Sequence, residues 1–226
     1  MREVFRRNLI SHNGDNRVVA LLVAILFISA SLAGFSPTVL LAATYYVQIT
    51  GNDSTTRQNA MNQSTPRRTI NAGKNCLTAP GDTLIVGDGT YVEGHIDISA
   101  SGTLASPITI RAQNKWRATL SSISSCNPNI SVGGSYITID GLSLVIDPAN
   151  VYCRPNSASG TGVRCWPGGT GCVVRNIKTD DPTGPNGKIR SHGVKTNQSN
   201  SIVENNELGA GMESLAGDNE IGRAHV

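Results

Sequence analysis

Aromatic residues make up only 4% of this 226-residue chain, charged residues 15%, and His occurs just four times. So little charge argues against a long solvated helical bundle, which wants more Leu, Ala, Glu and Lys. Charge of one sign is lacking too. The formal net charge is +3, but four of the 19 basic residues (Arg2, Arg6, Arg7, Arg17) and two of the 16 acidic ones (Glu3, Asp15) fall within residues 1–43. The rest is close to neutral, without the basic stripe of a nucleic-acid-binding surface, so no nucleic-acid partner is expected. With no Cys-x-x-Cys spacing and few His, a zinc site is not indicated. The apolar run over residues 18–28 is short of the roughly 20 residues a membrane span needs, and Pro37 and serines interrupt any longer one.

What is present begins with that run. A basic stretch ending at Arg17, the apolar segment, small residues through Ala33 and a second apolar patch ending at Ala42-Ala43 follow the order of a secretory signal peptide. Cleavage after Ala33 or Ala43 fits, and Ala43 is preferred because strand-like sequence starts at Thr44-Tyr45-Tyr46-Val47. An uncleaved anchor is the alternative. The expectation is a leader over 1–43, a secreted or cell-surface product and no membrane span after cleavage. Export permits disulfides, and all five Cys lie after the leader. Cys165 and Cys172 flank a Gly-rich loop that would let them pair, and the odd count leaves at least one thiol over.

From residue 44 onward, short β-branched runs alternate with Gly, Asn, Asp and Pro. Leu84-Ile85-Val86, Ile96-Asp97-Ile98, Ile108-Thr109-Ile110, Tyr136 to Ile139, Leu142 to Ile146, Cys172-Val173-Val174 and Ile202-Val203 read as strands with one face buried. Pro80-Gly81-Asp82, Gly87-Asp88-Gly89 and Asp140-Gly141 read as turns. One helix is expected within residues 69–78, although Gly73 and two Asn weaken it. A loose repeat follows: Gly162-Val163-Arg164-Cys165 before Asn176, then Gly193-Val194-Lys195-Thr196 before Asn205. The spacing of roughly 30 residues points to a solenoid. Asn176 and Asn205 then become candidates for a hydrogen-bonded Asn ladder, or simply turn residues.

Tyr45-Tyr46-Val47, Gly51-Asn52-Asp53-Ser54, Arg68-Thr69-Ile70, Pro80 to Leu84, Gly89-Thr90-Tyr91, Pro107 to Arg111 and Ile137 to Leu142 follow one another in an order that resembles secreted parallel β-helix proteins of the pectate-lyase-like superfamily. The resemblance implies an all-β, right-handed, single-stranded parallel β-helix over residues 44–220 with a short N-terminal capping helix. That superfamily spans pectate, alginate and chondroitin lyases, polygalacturonase-type hydrolases and proteins without shown activity, and fold alone does not select among them.

The most polar stretch, residues 178–195, holds the candidate chemistry. In a lyase reading, Asp180 and Asp181 hold Ca²⁺ against a uronate carboxylate, and Lys188, Arg190 or Lys195 takes the C5 proton, with His192 beside them. Two adjacent Asp are a weak signal, since Ca²⁺ takes six to eight oxygen ligands, and such a loop is ordinarily just solvated. A polygalacturonase-like hydrolase reading uses Asp180, Asp181 and His192-Gly193, but Ser191 replaces the expected Gly. Trp116 and Trp166 offer faces for sugar stacking, with Trp166 the substrate-binding candidate. The expected partner is an extracellular, uronate-containing polysaccharide; the rival is a non-catalytic adhesive β-helix. The last six residues, 221–226, match the translation of a common sequencing adapter, so the native chain is expected to continue past about Glu220.

Overall fold

Alternation of apolar and polar residues fixes which face of each strand is buried, and here the buried faces all point to one axis. A computed structural model describes residues 41–122, 127–145, 161–179, 192–209, 211–214 and 220–221. The expected leader therefore lies almost wholly outside the described residues. Among them, no helix is long and apolar enough to cross a membrane.

The chain winds through three parallel sheets. The first contains β1 (Thr44–Val47), β2 (Thr83–Val86), β5 (Ile108–Ala112), β8 (Ile137–Asp140), β11 (Val173–Arg175), β14 (Ile202–Glu204) and β17 (Glu220–Ile221). The second contains β3 (Gly89–Glu93), β6 (Ala118–Ser122), β9 (Ser143–Val145), β12 (Lys178–Thr179) and β15 (Glu207–Leu208). The third contains β4 (Ile96–Ile98), β7 (Ile130–Val132), β10 (Thr161–Cys165), β13 (His192–Thr196) and β16 (Gly211–Ser214). Each coil visits the sheets in that order, and each strand pairs in parallel with the strand one coil away. This is the right-handed parallel β-helix that the sequence resemblance implies.

Register stacks like on like. Tyr45, Leu84, Ile110, Ile139, Val174 and Val203 form one inward column of the first sheet. Ile96, Ile130, Val163 and Val194 do the same in the third. All are at most 2% exposed. Outward, the first sheet carries Arg111, Asp140, Arg175 and Glu204 in register, so charges alternate from coil to coil and oppose a slip. Arg175 donates to Asp140 at 2.9 Å.

The expected Asn ladder is resolved as a turn motif. Asn176 and Asn205 do occupy the same turn of successive coils, both with φ of 54°. However, Asn176 donates to Asp140 at 2.8 Å. The amide that bridges coils is the next residue, buried Asn206, which accepts from the Ile177 N–H (2.7 Å) and donates to the Val174 carbonyl (3.1 Å).

The N-terminal end is closed by the segment before β2. Helix α1 (Ile70–Lys74) is shorter than the expected stretch and starts at Thr69, whose hydroxyl accepts from the Ala72 N–H. The Glu93 carboxylate, on β3, accepts from the Ile70 and Asn71 N–H groups (2.6 and 2.9 Å) and so ties the cap to the first coil. Fully buried Asp82 accepts from the N–H groups of Ala43, Thr78 and Ala79 and pairs with Arg57 at 3.4 Å. Gly73 is required by packing: a Cβ there would strike the Val47 Cγ2 methyl and lie 2.9 Å from Leu84 Cδ1.

Two outcomes follow. Gly73→Ala should destabilise by about 1–3 kcal/mol through overpacking, although helix propensity alone would stabilise by about 1 kcal/mol; urea unfolding decides the sign. Burial pushes the Glu93 carboxyl above its ordinary value, against the pull of the N–H groups of Asn71 and Ile70. A raised folded value means that its contribution is fully present below the unfolded value and lost as pH rises through the folded one. The melting-temperature advantage of wild type over Glu93→Gln should therefore shrink as pH climbs above the ordinary carboxylate range. A pH-independent difference would contradict this.

Candidate functional site on the third sheet

The third sheet buries the residues on either side of a central position, so that central residue points outward. In register, these positions are Asp97, Ser131, Arg164 and Lys195, with Glu213 taking the next place. Neighbouring strands lie about 4.8 Å apart, so two cations, Arg164 and Lys195, sit side by side on consecutive coils. The column is acidic at Asp97 and basic in the middle.

Trp166 follows β10 and folds back over this face. Its backbone N–H donates to the Val132 carbonyl at 2.9 Å, and its indole N–H donates to Ser131 Oγ at 2.9 Å. Ser131 points outward yet is only 2% exposed, because the indole lies on it. The Arg164 guanidinium carbon is 3.5 Å from the centre of the indole, a cation–π contact that fixes a mobile side chain. Trp166 itself stays 36% exposed. The turn that carries it is closed by a disulfide between Cys165 and Cys172, whose Cα atoms are 6.4 Å apart.

Lys195 and Trp166, both singled out from the sequence, each neighbour Arg164: Lys195 stands beside it in register on the next coil, and the Trp166 ring packs against its guanidinium. His192 opens β13 opposite Thr161, three residues before Lys195, where the register between β13 and β16 shifts. Asp180, Asp181, Lys188 and Arg190 lie outside the described residues, in the connection between Thr179 of β12 and His192 of β13. Arg164 was not proposed from sequence. Its signal was there, because the Val163 and Val194 units of the repeat, once aligned, place Arg164 opposite Lys195.

Among the described residues, no three His, Cys, Asp or Glu side chains come together in a way that could hold a metal ion. They do not provide the oxygen-rich shell that Ca²⁺ requires, and no chemical step is assigned to it.

A family model for Chondroitinase B matches residues 69–221, more than half of the chain. The chain belongs to the Chondroitinase B family. The likeness to solved structures is one of fold. Pectate lyase Pel9A shares 19% identity at a TM-score of 0.50, covering 75% of this chain and 48% of its own. A rhamnogalacturonan lyase shares 13% identity at a TM-score of 0.49, covering 81% and 63%. The PL6 family polysaccharide lyase Pedsa3628 from Pseudopedobacter saltans shares 13% at a TM-score of 0.46, covering 64% and 33%. Among curated proteins no sequence matches. The chain spans about half the length of Pel9A and about a third of Pedsa3628.

Proposed function

We propose that this Chondroitinase B family protein is exported and acts on an extracellular, uronate-containing polysaccharide as a lyase, at the outer face of the third sheet. The observation that carries the reading is Arg164, stacked on Trp166 and paired in register with Lys195 on the next coil. A uronate carries one carboxylate and an apolar C–H face per ring. A guanidinium matches the carboxylate with two parallel N–H groups, and a half-exposed indole matches the C–H face.

The elimination then needs two things from the protein. Pairing the carboxylate with Arg164 stabilises negative charge that spreads onto it as the C5–H bond breaks. Lys195 takes the C5 proton as the general base. The electron pair forms the C4=C5 double bond, the C4–O glycosidic bond breaks, and the leaving oxygen takes a proton from solvent water. The product is an unsaturated uronate that absorbs in the ultraviolet. Asp180, Asp181, Lys188, Arg190 and His192 belong to the connection entering β13 and to its first residue; Ca²⁺ at the Asp pair would add charge neutralisation there.

Ultraviolet absorbance during incubation with polygalacturonate, alginate and chondroitin sulfate tests this. Lys195→Ala should lower the rate by about 10²–10⁴-fold, the usual worth of a general base, with normal circular dichroism. Arg164→Lys keeps the charge but loses the stacking and should weaken binding. Retention of the polymers without any absorbance from wild type would favour a non-catalytic binder and overturn the lyase reading.

A further inference from the structure

The first and second sheets meet at a two-residue turn in three successive coils: Gly141-Leu142, Asn176-Ile177 and Asn205-Asn206. One coil earlier, the connection between β5 and β6 is longer, residues 113–117, and it carries Trp116. This loop is pinned from both sides. Asn114 donates to both oxygens of Asp88 (3.1 and 3.2 Å), and Arg117 reaches the same carboxylate at 3.6 Å. In the other direction, the Trp116 backbone N–H donates to the Gly141 carbonyl, and its indole N–H donates to the Asn176 carbonyl, each at 2.6 Å. Trp116 is held with φ of 64° and remains half-buried.

Two ammonium groups flank the ring. Lys115 Nζ is 4.2 Å and Lys178 Nζ 5.5 Å from its centre. Lys178 is compensated by Glu207 at 2.6 Å. Lys115 is exposed and, among the described residues, makes no ion pair. If Trp116 served only to strap successive coils together, its two N–H bonds would suffice and an uncompensated lysine over the ring would be unnecessary. An anchored indole edge beside an uncompensated cation is instead the pairing that an acidic sugar engages, C–H face to aromatic and carboxylate to ammonium.

We infer that the corner formed by Trp116, Lys115 and Lys178 is a second binding site, for the acidic groups of a polyanionic polysaccharide, separate from the third sheet. The inference rests on the proposed polysaccharide function. This site performs no chemistry. It holds the polymer on the coil stack while the Arg164–Lys195 face engages it elsewhere.

The chain has two tryptophans, so Trp166→Phe leaves Trp116 as the sole fluorescent indole in the full chain. Titrating that variant with oligosaccharides of polygalacturonate, alginate and chondroitin sulfate should give a saturable change in Trp116 emission. Adding Lys115→Glu should weaken the apparent affinity about threefold to tenfold with an unchanged circular dichroism spectrum, since Lys115 is exposed and the Trp116 ring it contacts is already held by two N–H bonds. If wild type retains a polymer in affinity electrophoresis but Trp116 emission does not respond, or responds equally with Lys115→Glu, the second site is overturned and the third-sheet reading stands. If wild type retains none of the three polymers, the polysaccharide reading itself fails and takes this site with it.

Discussion

Successive coils of a solenoid stack in register when they turn at the same place, and across three coils here that constraint is met by two columns of left-handed backbone. One is Tyr136, Gly171 and Asn200, at the entry to the first sheet; the other is Gly141, Asn176 and Asn205, at its exit. Each column lies in register across three coils, as the pairing of β8, β11 and β14 requires. Left-handed backbone costs an ordinary residue about 1–2 kcal/mol and costs Gly and Asn least, which is why those two recur. Tyr136 is the exception. Its ring occupies the space where a Gly171 Cβ would sit, 2.7 Å from Tyr136 Cδ1, so the strained Tyr and the Gly above it depend on each other.

The corners also leave backbone groups that no strand pairs, and buried amides satisfy them. Asn206 bridges Ile177 and Val174. Asn129 donates to the Val145 carbonyl at 2.8 Å, and Gln198 donates to the carbonyls of Val132 and Gly134. All three side chains are buried, and an unpaired polar group there would cost about 1–3 kcal/mol. Composition thus reflects architecture: few aromatics, many Gly, and Asn or Gln at several of the corners where one sheet hands over to the next.

That logic explains what was legible in the sequence. Strands with two large apolar residues in alternation, such as β2, β4, β5 and β8, stand out locally, and the Asn176 and Asn205 spacing revealed the coil. β6 has one large apolar residue, Leu120, and β12 and β15 have two residues each. They are strands only because a neighbour pairs with them, which no local window shows. Gly73 looked like a weakness in a helix and is in fact where the helix touches Val47 and Leu84. In the site, Lys195 and Trp166 were visible as residue types with suitable chemistry. Arg164 became visible only through register, since its importance lies in which residue stands beside it on the next strand.

The same register explains why the third sheet can hold a precise arrangement. At its junction with the first sheet, three successive coils fill equivalent positions with three different interactions. Val132 and Ile137 place two buried apolar side chains there, Cys165 and Cys172 form a disulfide, and Thr196 donates to Ser201 at 2.8 Å. The positions correspond because Cys165 pairs with Val132 below and Thr196 above, and Val173 pairs with Thr138 and Ile202. The covalent member falls in the coil that carries Arg164 and Trp166. Closing a loop of this length contributes about 2–3 kcal/mol in the chain-entropy account. More to the point, it ties both ends of the turn that starts at Trp166, so the indole on which Arg164 rests is fixed to two sheets at once. A cation that must meet a carboxylate at a defined distance gains from being packed against a ring that cannot swing, and the fold places its covalent crosslink where that ring is held.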